Sequence, residues 1–134
     1  MKTISLILAV FLFGASQLEA QVNTDSLPKA RLLIKTDTYD FGYMETGEKT
    51  SHTFQFENVG NAPLIIDKVL TTCGCTVPDW TKEPVSPGNS GQVKVVFDST
   101  GKMGRQNKVI TIRSNNTEGD VRLILSGMII PKKE

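Results

Sequence analysis

Cys73-Gly74-Cys75 is the segment best suited to chemistry, because it holds the only two cysteines of the 134-residue chain. Two thiols this close can bond to each other, bond to another chain, bind a metal ion or remain free. Alternate residues of a flat strand lie roughly 7 Å apart between Cα atoms, at the upper limit for a disulfide. An internal bond therefore needs a bend at Gly74 and is strained, and strained disulfides are easily reduced.

Metal binding is another interpretation of the cysteine pair. A structural zinc site needs four ligands, and Cys73, Cys75 and the single histidine, His52, are too few. Two thiolates alone are better suited to Cu(I). Three roles therefore stay open for the pair: a local structural role as thiols or a disulfide, a redox or thiol-exchange role, and Cu(I) binding. The sequence predicts no cofactor and no other metal site.

Acid-base catalysis would have to involve His52. Its position alternates with Phe54 and Phe56, which places it on the apolar face of a strand and indicates a structural ring rather than a catalytic base. No nucleophile of the strand-turn-helix kind is present. Gly101-Lys102-Met103-Gly104 resembles a phosphate-binding loop, but no helix is predicted after it. The sequence predicts that the protein is not an enzyme and has no catalytic residues.

The elements that carry these residues are predicted to be β-strands. Apolar residues alternate with polar ones around Phe54 and Phe56 and again around Val93, Val95 and Phe97, and no window shows a helical period. The predicted strands are 31–36, 39–43, 49–57, 64–70, 91–98, 108–114 and 121–130. Tyr39, Phe41 and Tyr43 are expected on one face, and the cysteines in a long connection over 71–89. We predict an all-β, immunoglobulin-like sandwich of two antiparallel sheets with seven to eight strands.

Residues 1–20 are predicted to be a signal peptide. Lys2 precedes the apolar run Ile4–Phe13, which is about ten residues long and too short to span a bilayer. Cleavage is expected between Ala20 and Gln21, and no cysteine stands there to accept a lipid. We expect a flexible leader over 21–30, one domain over 31–130 and a C-terminal tail over 131–134. The expected location is the periplasm or the exterior, with no membrane span in the mature chain.

The charge of the chain limits its partners. Fifteen basic and fourteen acidic residues give a net charge of +1. Nucleic acids and anionic membranes attract basic surfaces, so neither is an expected partner. A sandwich with open sheet edges suits another envelope or secreted protein as a partner, bound through a sheet edge.

Several segments together resemble a known family. They are Asp40-Phe41-Gly42 followed by Gly47, then Phe54–Leu64, Thr72–Thr76, Pro84–Gly88, Val96–Ser99 and Ile110–Asn115. The first segments are similar to Hydin-like and major-sperm-protein-like immunoglobulin domains. All of them, from about residue 31 to 127, resemble the "domain of unknown function fifteen-seventy-three" family of bacteria, common in Bacteroidetes. The resemblance implies an immunoglobulin-like fold and an exported binding module, without an assigned reaction.

Two functions follow as expectations. The first is an exported, non-catalytic protein-interaction module of the bacterial cell envelope. The alternative is a small periplasmic thiol-redox or Cu(I)-binding protein that uses Cys73 and Cys75.

Overall fold

The computed structural model describes residues 27–134, and eight strands account for most of them. Their bounds are β1 Leu32–Leu33, β2 Thr38–Glu45, β3 Lys49–Asn58, β4 Ile66–Thr71, β5 Cys75–Trp80, β6 Ser90–Asp98, β7 Gly104–Ser114 and β8 Val121–Ile130. The predicted signal peptide, its cleavage point at Ala20 and Gln21 and most of the predicted leader lie outside the described residues. Within 27–134 the chain forms no helix, and so no helix long enough to cross a bilayer.

The strands form two four-stranded sheets. Sheet one has the order β1-β3-β6-β5, and sheet two has the order β2-β8-β7-β4. This is the A-B-E-D and G-F-C arrangement of an immunoglobulin constant-type sandwich, with β2 added beside the last strand. The predicted immunoglobulin-like sandwich is confirmed. Its sheets are not wholly antiparallel, however, because β2 runs parallel to β8, from Thr38 opposite Ile124 to Glu45 opposite Ile130.

The first strand changes sheets, and this explains the parallel pair. β1 lies antiparallel to β3 through only two residue pairs, Leu32 with Asn58 and Leu33 with Glu57. The chain then crosses to sheet two, where Asp37 already accepts a hydrogen bond from the N–H of Ile124 at 2.8 Å. The packing begins before Arg31, since Ala30 is buried and forms a bridge with Asn116.

Three details of the predicted strands are wrong. The strand predicted over 31–36 is only β1, Leu32–Leu33, because the chain then leaves sheet one. The connection over 71–89 contains β5, an edge strand whose pairing with β6 is interrupted between Thr76 and Asp79. Tyr43 does not share a face with Tyr39 and Phe41 but is 79% exposed, while Met44 is buried. The register of β2 against β8 shifts between Asp40 and Tyr43. Gly42 sits in the shift with φ +71°, and the extra residue reverses the alternation.

The core lies between the inward faces of the two sheets, as the two-residue alternation predicts. Sheet one contributes to the core mainly through the inward side chains of β3 and β6. The inward side chains of β7 and β8 in sheet two pack against them. The residues buried there are Phe54, Phe56, Val93, Val95, Phe97, Ile110, Ile112, Leu123, Leu125 and Ile129.

In sheet two, the backbone of β8 lies against the aromatic ring of Phe41 at Gly127. A Cβ at Gly127 on β8 would overlap the ring of Phe41 on β2. Phe41 in turn stacks on Phe97 of sheet one, with ring centroids 5.3 Å apart. The absence of a side chain at Gly127 therefore lets the two sheets share an aromatic contact.

A buried asparagine fixes the end of the sandwich where β1 meets β3. The side chain of Asn58 is fully buried and donates to the carbonyl oxygens of Ala62 and Val85 at 2.7 and 2.8 Å. Its Oδ1 accepts hydrogen bonds from the N–H groups of Gly60 and Arg31 at 3.0 and 3.3 Å. One side chain thus satisfies four backbone groups and holds β1 on β3.

Candidate functional site

The cysteine pair lies in the tight turn between β4 and β5. Cys73 is exposed and Cys75, the first residue of β5, is 8% exposed; neither forms a disulfide. The turn is held by main-chain hydrogen bonds: the N–H of Cys75 donates to Thr72 O at 3.3 Å, and the N–H of Asp98 donates to Gly74 O at 3.0 Å. The two thiols therefore belong to different environments, one in solvent and one in the wall of the core.

Gly74 gives this turn its shape. Its φ is +91°, a left-handed conformation that side chains disfavour. A Cβ there would also overlap the Cε atom of Lys102 and approach the ring of Phe97. The chain therefore bends at Gly74, and the Lys102 side chain lies over the bend.

Electrostatics do not make Cys75 a reactive thiolate. Desolvation by burial raises the pKa of the Cys75 thiol, and the positive charges of Lys108 and Lys102 offset part of this rise. The thiolate is the form that attacks disulfides and binds Cu(I), so Cys75 stays protonated at neutral pH. Within residues 27–134, no group of three or more His, Cys, Asp or Glu side chains is placed to hold a metal ion.

His52 lies at the border between the sheets. Its ring stacks on Tyr39 of β2, with centroids 3.9 Å apart and an interplanar angle of 8°, and meets Phe54 edge-on at 4.7 Å. Burial lowers the pKa of His52. The predicted position on the face of Phe54 and Phe56 agrees with these contacts, and the ring serves packing between β2 and β3.

The long free edge of β3 was not identified from the sequence, which predicted binding at a sheet edge without specifying which edge. β3 pairs with β6 over its whole length from Lys49 to Glu57, but β1 covers only Glu57 and Asn58 on the other side. Towards its beginning, the β1 side of β3 has no paired strand among the described residues. This side is open because the chain leaves sheet one after Leu33.

The direction of the backbone groups identifies which residues present hydrogen bonds at this edge. The N–H of Asn58 points towards β6 and donates to Asn89 O at 3.0 Å, whereas the N–H of Val59 points the opposite way and donates to Arg31 O at 2.9 Å. Because the direction alternates along a strand, the odd-numbered residues face the β1 side. The backbone N–H and C=O groups of Ser51, Thr53 and Gln55 therefore lack strand partners within 27–134. We call these three residues the open β3 edge.

A groove runs along the open β3 edge. It has a volume of about 330 Å³. Its lining is β3 from His52 to Glu57, Leu33 of β1, Lys35 and Thr36 of the crossing segment, and Ser90 of β6. This volume lies within the range of roughly 300–1,000 Å³ that is usual for ligand sites. Leu33 is 44% exposed at the end of the groove where β1 leaves β3. The groove therefore combines unpaired backbone groups with partly exposed apolar surface.

The other three sheet edges are less suited to adding a strand. The edge strand β5 carries Pro78, which has no N–H, and its pairing with β6 is irregular. β2 contains the irregularity at Gly42, and β4 shifts register between Ile66 and Lys68. Irregularities of this kind twist a strand away from a flat neighbour. The open β3 edge is regular by comparison, with unbroken register against β6.

An immunoglobulin-like β-sandwich with one regular open edge is the class of protein that this architecture defines. The chain belongs to the family described as "Protein of unknown function (DUF1573)", whose sequence profile matches residues 32–129. The resemblance seen in the sequence is thereby confirmed. No curated protein matches the chain.

Solved structures share the fold at low sequence identity. A protein of unknown function from Porphyromonas gingivalis W83 has a TM-score of 0.66 and 21% identity, covering 79% of this chain and 51% of its own. The ASH / PapD-like domain 7 of human CEP192 has a TM-score of 0.64 and 11% identity, covering 99% of both chains. The secreted serine protease VesC of Vibrio cholerae has a TM-score of 0.59 and 17% identity, covering 82% of this chain and 25% of its own.

These similarities establish the fold alone. The chain spans about half the length of the Porphyromonas protein and a quarter of VesC. The same sandwich thus occurs as one domain of larger proteins, including a secreted protease.

Proposed function

We propose that the chain is an exported, non-catalytic interaction module of the bacterial cell envelope, and that it binds another protein at the open β3 edge. The observation that carries this proposal is the row of backbone groups of Ser51, Thr53 and Gln55, which have no strand partner among residues 27–134 and lie beside a groove. Exposed strand edges are templates for pairing with another chain, and natural proteins usually block them. This edge is regular and lies beside open space.

Export and location in the envelope rest on the sequence of residues 1–20. A charged start, a short apolar run and a small residue at position 20 are the features of a cleaved secretory signal. Secretion of the fold-sharing protease VesC is compatible with this location. Nucleic acid and membrane are not proposed as partners, since the net charge is only +1.

The alternative, a thiol-redox or Cu(I)-binding function, is supported by the exposed thiol of Cys73 alone. Its neighbour Cys75 is buried and has a raised pKa, which disfavours the thiolate that both chemistries require. A cysteine pair with one accessible thiol therefore supports the redox or Cu(I)-binding function less well than the open β3 edge supports protein binding.

A proline substitution tests the proposed edge directly. Thr53→Pro removes the N–H that points into the groove and leaves the even-numbered bonds to β6 intact, as expected for proline at a sheet edge. We expect Thr53→Pro to reduce recovery of envelope partners by the tagged domain at least tenfold. Thr53→Ala keeps the N–H and should recover the same partners as the wild type.

Folding of each variant is checked by circular dichroism. If Thr53→Pro does not fold, Gln55→Pro tests the neighbouring N–H in the same way. Amide hydrogen exchange of the wild-type complex gives a readout that needs no variant. Partners that bind equally to the folded proline variants, or that leave the Thr53 and Gln55 amides unprotected, would refute binding at this edge.

A further inference from the structure

We infer that the open β3 edge accepts an extended segment of a partner protein as an added antiparallel strand, with alternating apolar and polar side chains and no charge at the positions facing the core. This inference rests on the proposed function and specifies the chemistry of the segment. It follows from three properties of the groove: its backbone groups, the alternation of its lining and its charges.

The backbone groups specify an extended occupant. Ser51, Thr53 and Gln55 present N–H and C=O groups at every second residue, the spacing at which an antiparallel strand returns its own groups. The groove continues the existing β1–β3 pairing beyond Leu33 and Glu57. Both neighbours of β3 run antiparallel to it, so an added strand that continues the direction of β1 preserves the arrangement of the sheet. A partner recognised only through side chains would not need backbone groups at this two-residue spacing.

The lining specifies the alternation of the segment. Side chains directly opposite each other in paired strands point to the same face of the sheet. Even-numbered residues of β3 point towards the core, where Phe54 is buried and His52 is half-buried against the ring of Tyr39. Residues of the segment opposite these rings therefore enter apolar surroundings. Residues opposite Thr53 and Gln55, both exposed, face water.

The charges exclude ionised side chains from the inward positions. Lys35 and Glu57, of opposite sign, both lie where β1 leaves β3, and the lining from His52 to Gln55 contains no carboxylate or ammonium group. Burial lowers the pKa of His52, so its ring is neutral at neutral pH. An ionised residue placed here would lose water without gaining an opposite charge, which disfavours its binding. Uncharged side chains complement this part of the groove.

Synthetic peptides test the inference. The probe is the acetylated and amidated heptapeptide Thr-Val-Thr-Val-Thr-Val-Thr, titrated into the full mature domain and followed by amide chemical shifts. Two controls have a related composition: one groups the three valines together, and the other replaces the central valine by aspartate. We expect shifts centred on Ser51, Thr53 and Gln55, with at least tenfold weaker binding of both controls.

The edge variants connect the peptide result to the fold. Thr53→Pro should weaken the alternating peptide at least tenfold, and Thr53→Ala should not. Equal binding of the three peptides, or shifts located away from β3, would overturn the inferred chemistry. If no peptide binds but Thr53→Pro still abolishes recovery of natural partners, the inference fails and the proposed function stands. If proline has no effect on either, both fail.

Discussion

The open β3 edge and the cysteine turn differ in what they offer to a partner. At the edge, the interacting groups are backbone amides and carbonyls, spaced regularly and facing a groove. At the turn, the reactive groups are two side chains, of which only Cys73 reaches solvent. The two cysteines make the turn conspicuous in the sequence. The regular array of backbone groups lies instead along β3, where the residue types are ordinary. In a β-sandwich, the pairing of strands decides which polar groups remain available.

Replacement of Asn58 is expected to have the largest effect on this comparison, because Asn58 holds β1 at the end of the open edge. Asn58→Ala removes four hydrogen bonds to backbone groups. The Val85 carbonyl oxygen keeps its bond from the N–H of Leu64, and loss of the bonds to the other groups should lower the free energy of unfolding by about 2–4 kcal/mol. Urea denaturation measures the change. Asn107→Ala, at an exposed position on β7, is the control and should change it by less than about 0.5 kcal/mol.

Gly74→Ala tests the shape of the cysteine turn. The left-handed φ of +91° alone should cost about 1–2 kcal/mol, and the close approach of the added Cβ to the ring of Phe97 should add to it, whereas the end of the Lys102 side chain can move aside. Gly101→Ala is a matched control, since Gly101 has φ +72° with nothing within 4 Å of its added Cβ. The midpoint temperature of thermal unfolding should therefore be lower for Gly74→Ala than for Gly101→Ala. Equal loss in the two variants would mean that the ring of Phe97 accommodates the added Cβ and that the turn is loosely packed.

The difference between the two thiols can be measured by alkylation. Cys73 should react with iodoacetamide at least tenfold faster than Cys75, because Cys75 is buried and its pKa is raised. Mass spectrometry of peptides gives the two rates, and the Cys73→Ser and Cys75→Ser variants assign them. Similar rates, or a disulfide between Cys73 and Cys75 in the purified protein, would reverse the comparison and favour the redox function.

His52 should give the smallest effect, seen as a dependence of stability on pH. Its pKa in the folded state is lowered from 6.5 by burial, so the unfolded chain binds the proton more readily. The stabilising contribution is complete above about pH 6.5 and is lost as the pH falls from there towards the folded pKa. Urea denaturation between pH 7.5 and 5 should show this loss in the wild type and a smaller one in His52→Phe. The pKa of Asp98 is lowered from 3.8 by hydrogen bonds from Thr100, so its contribution is lost only at more acid pH. A pH dependence that is unchanged in His52→Phe would contradict this assignment.

The fold could be predicted from the sequence because alternation is strict where two sheets bury one face each. Phe54 and Phe56 on β3 and Val93, Val95 and Phe97 on β6 all lie in the predicted core. The sequence failed where backbone geometry changes the parity, as at Gly42, which reverses Tyr43 and Met44. β5 was missed because Cys75–Trp80 contains Pro78 and its ladder is interrupted.

The open β3 edge could not be predicted from the sequence. Thr53 and Gln55 are ordinary outward residues of a strand, and their backbone groups have no strand partner in the described part of the chain because β1 ends after Leu33. The point where one strand leaves another depends on tertiary packing, here on the pairing of β2 with β8. The cysteine pair was visible at once from residue type, but the separate environments of its two thiols were not.

The parallel pairing of β2 with β8 also determines when the domain can finish folding. Tyr39 is opposite Leu125, so residues from the beginning of the domain wait for its last strand. Contacts so distant along the chain slow folding because the intervening loop must close first. During synthesis, β2 has no strand to join until residue 121 and those after it have been made. A shortened chain without β8 would leave the ring of Phe41 uncovered and prone to association with other chains.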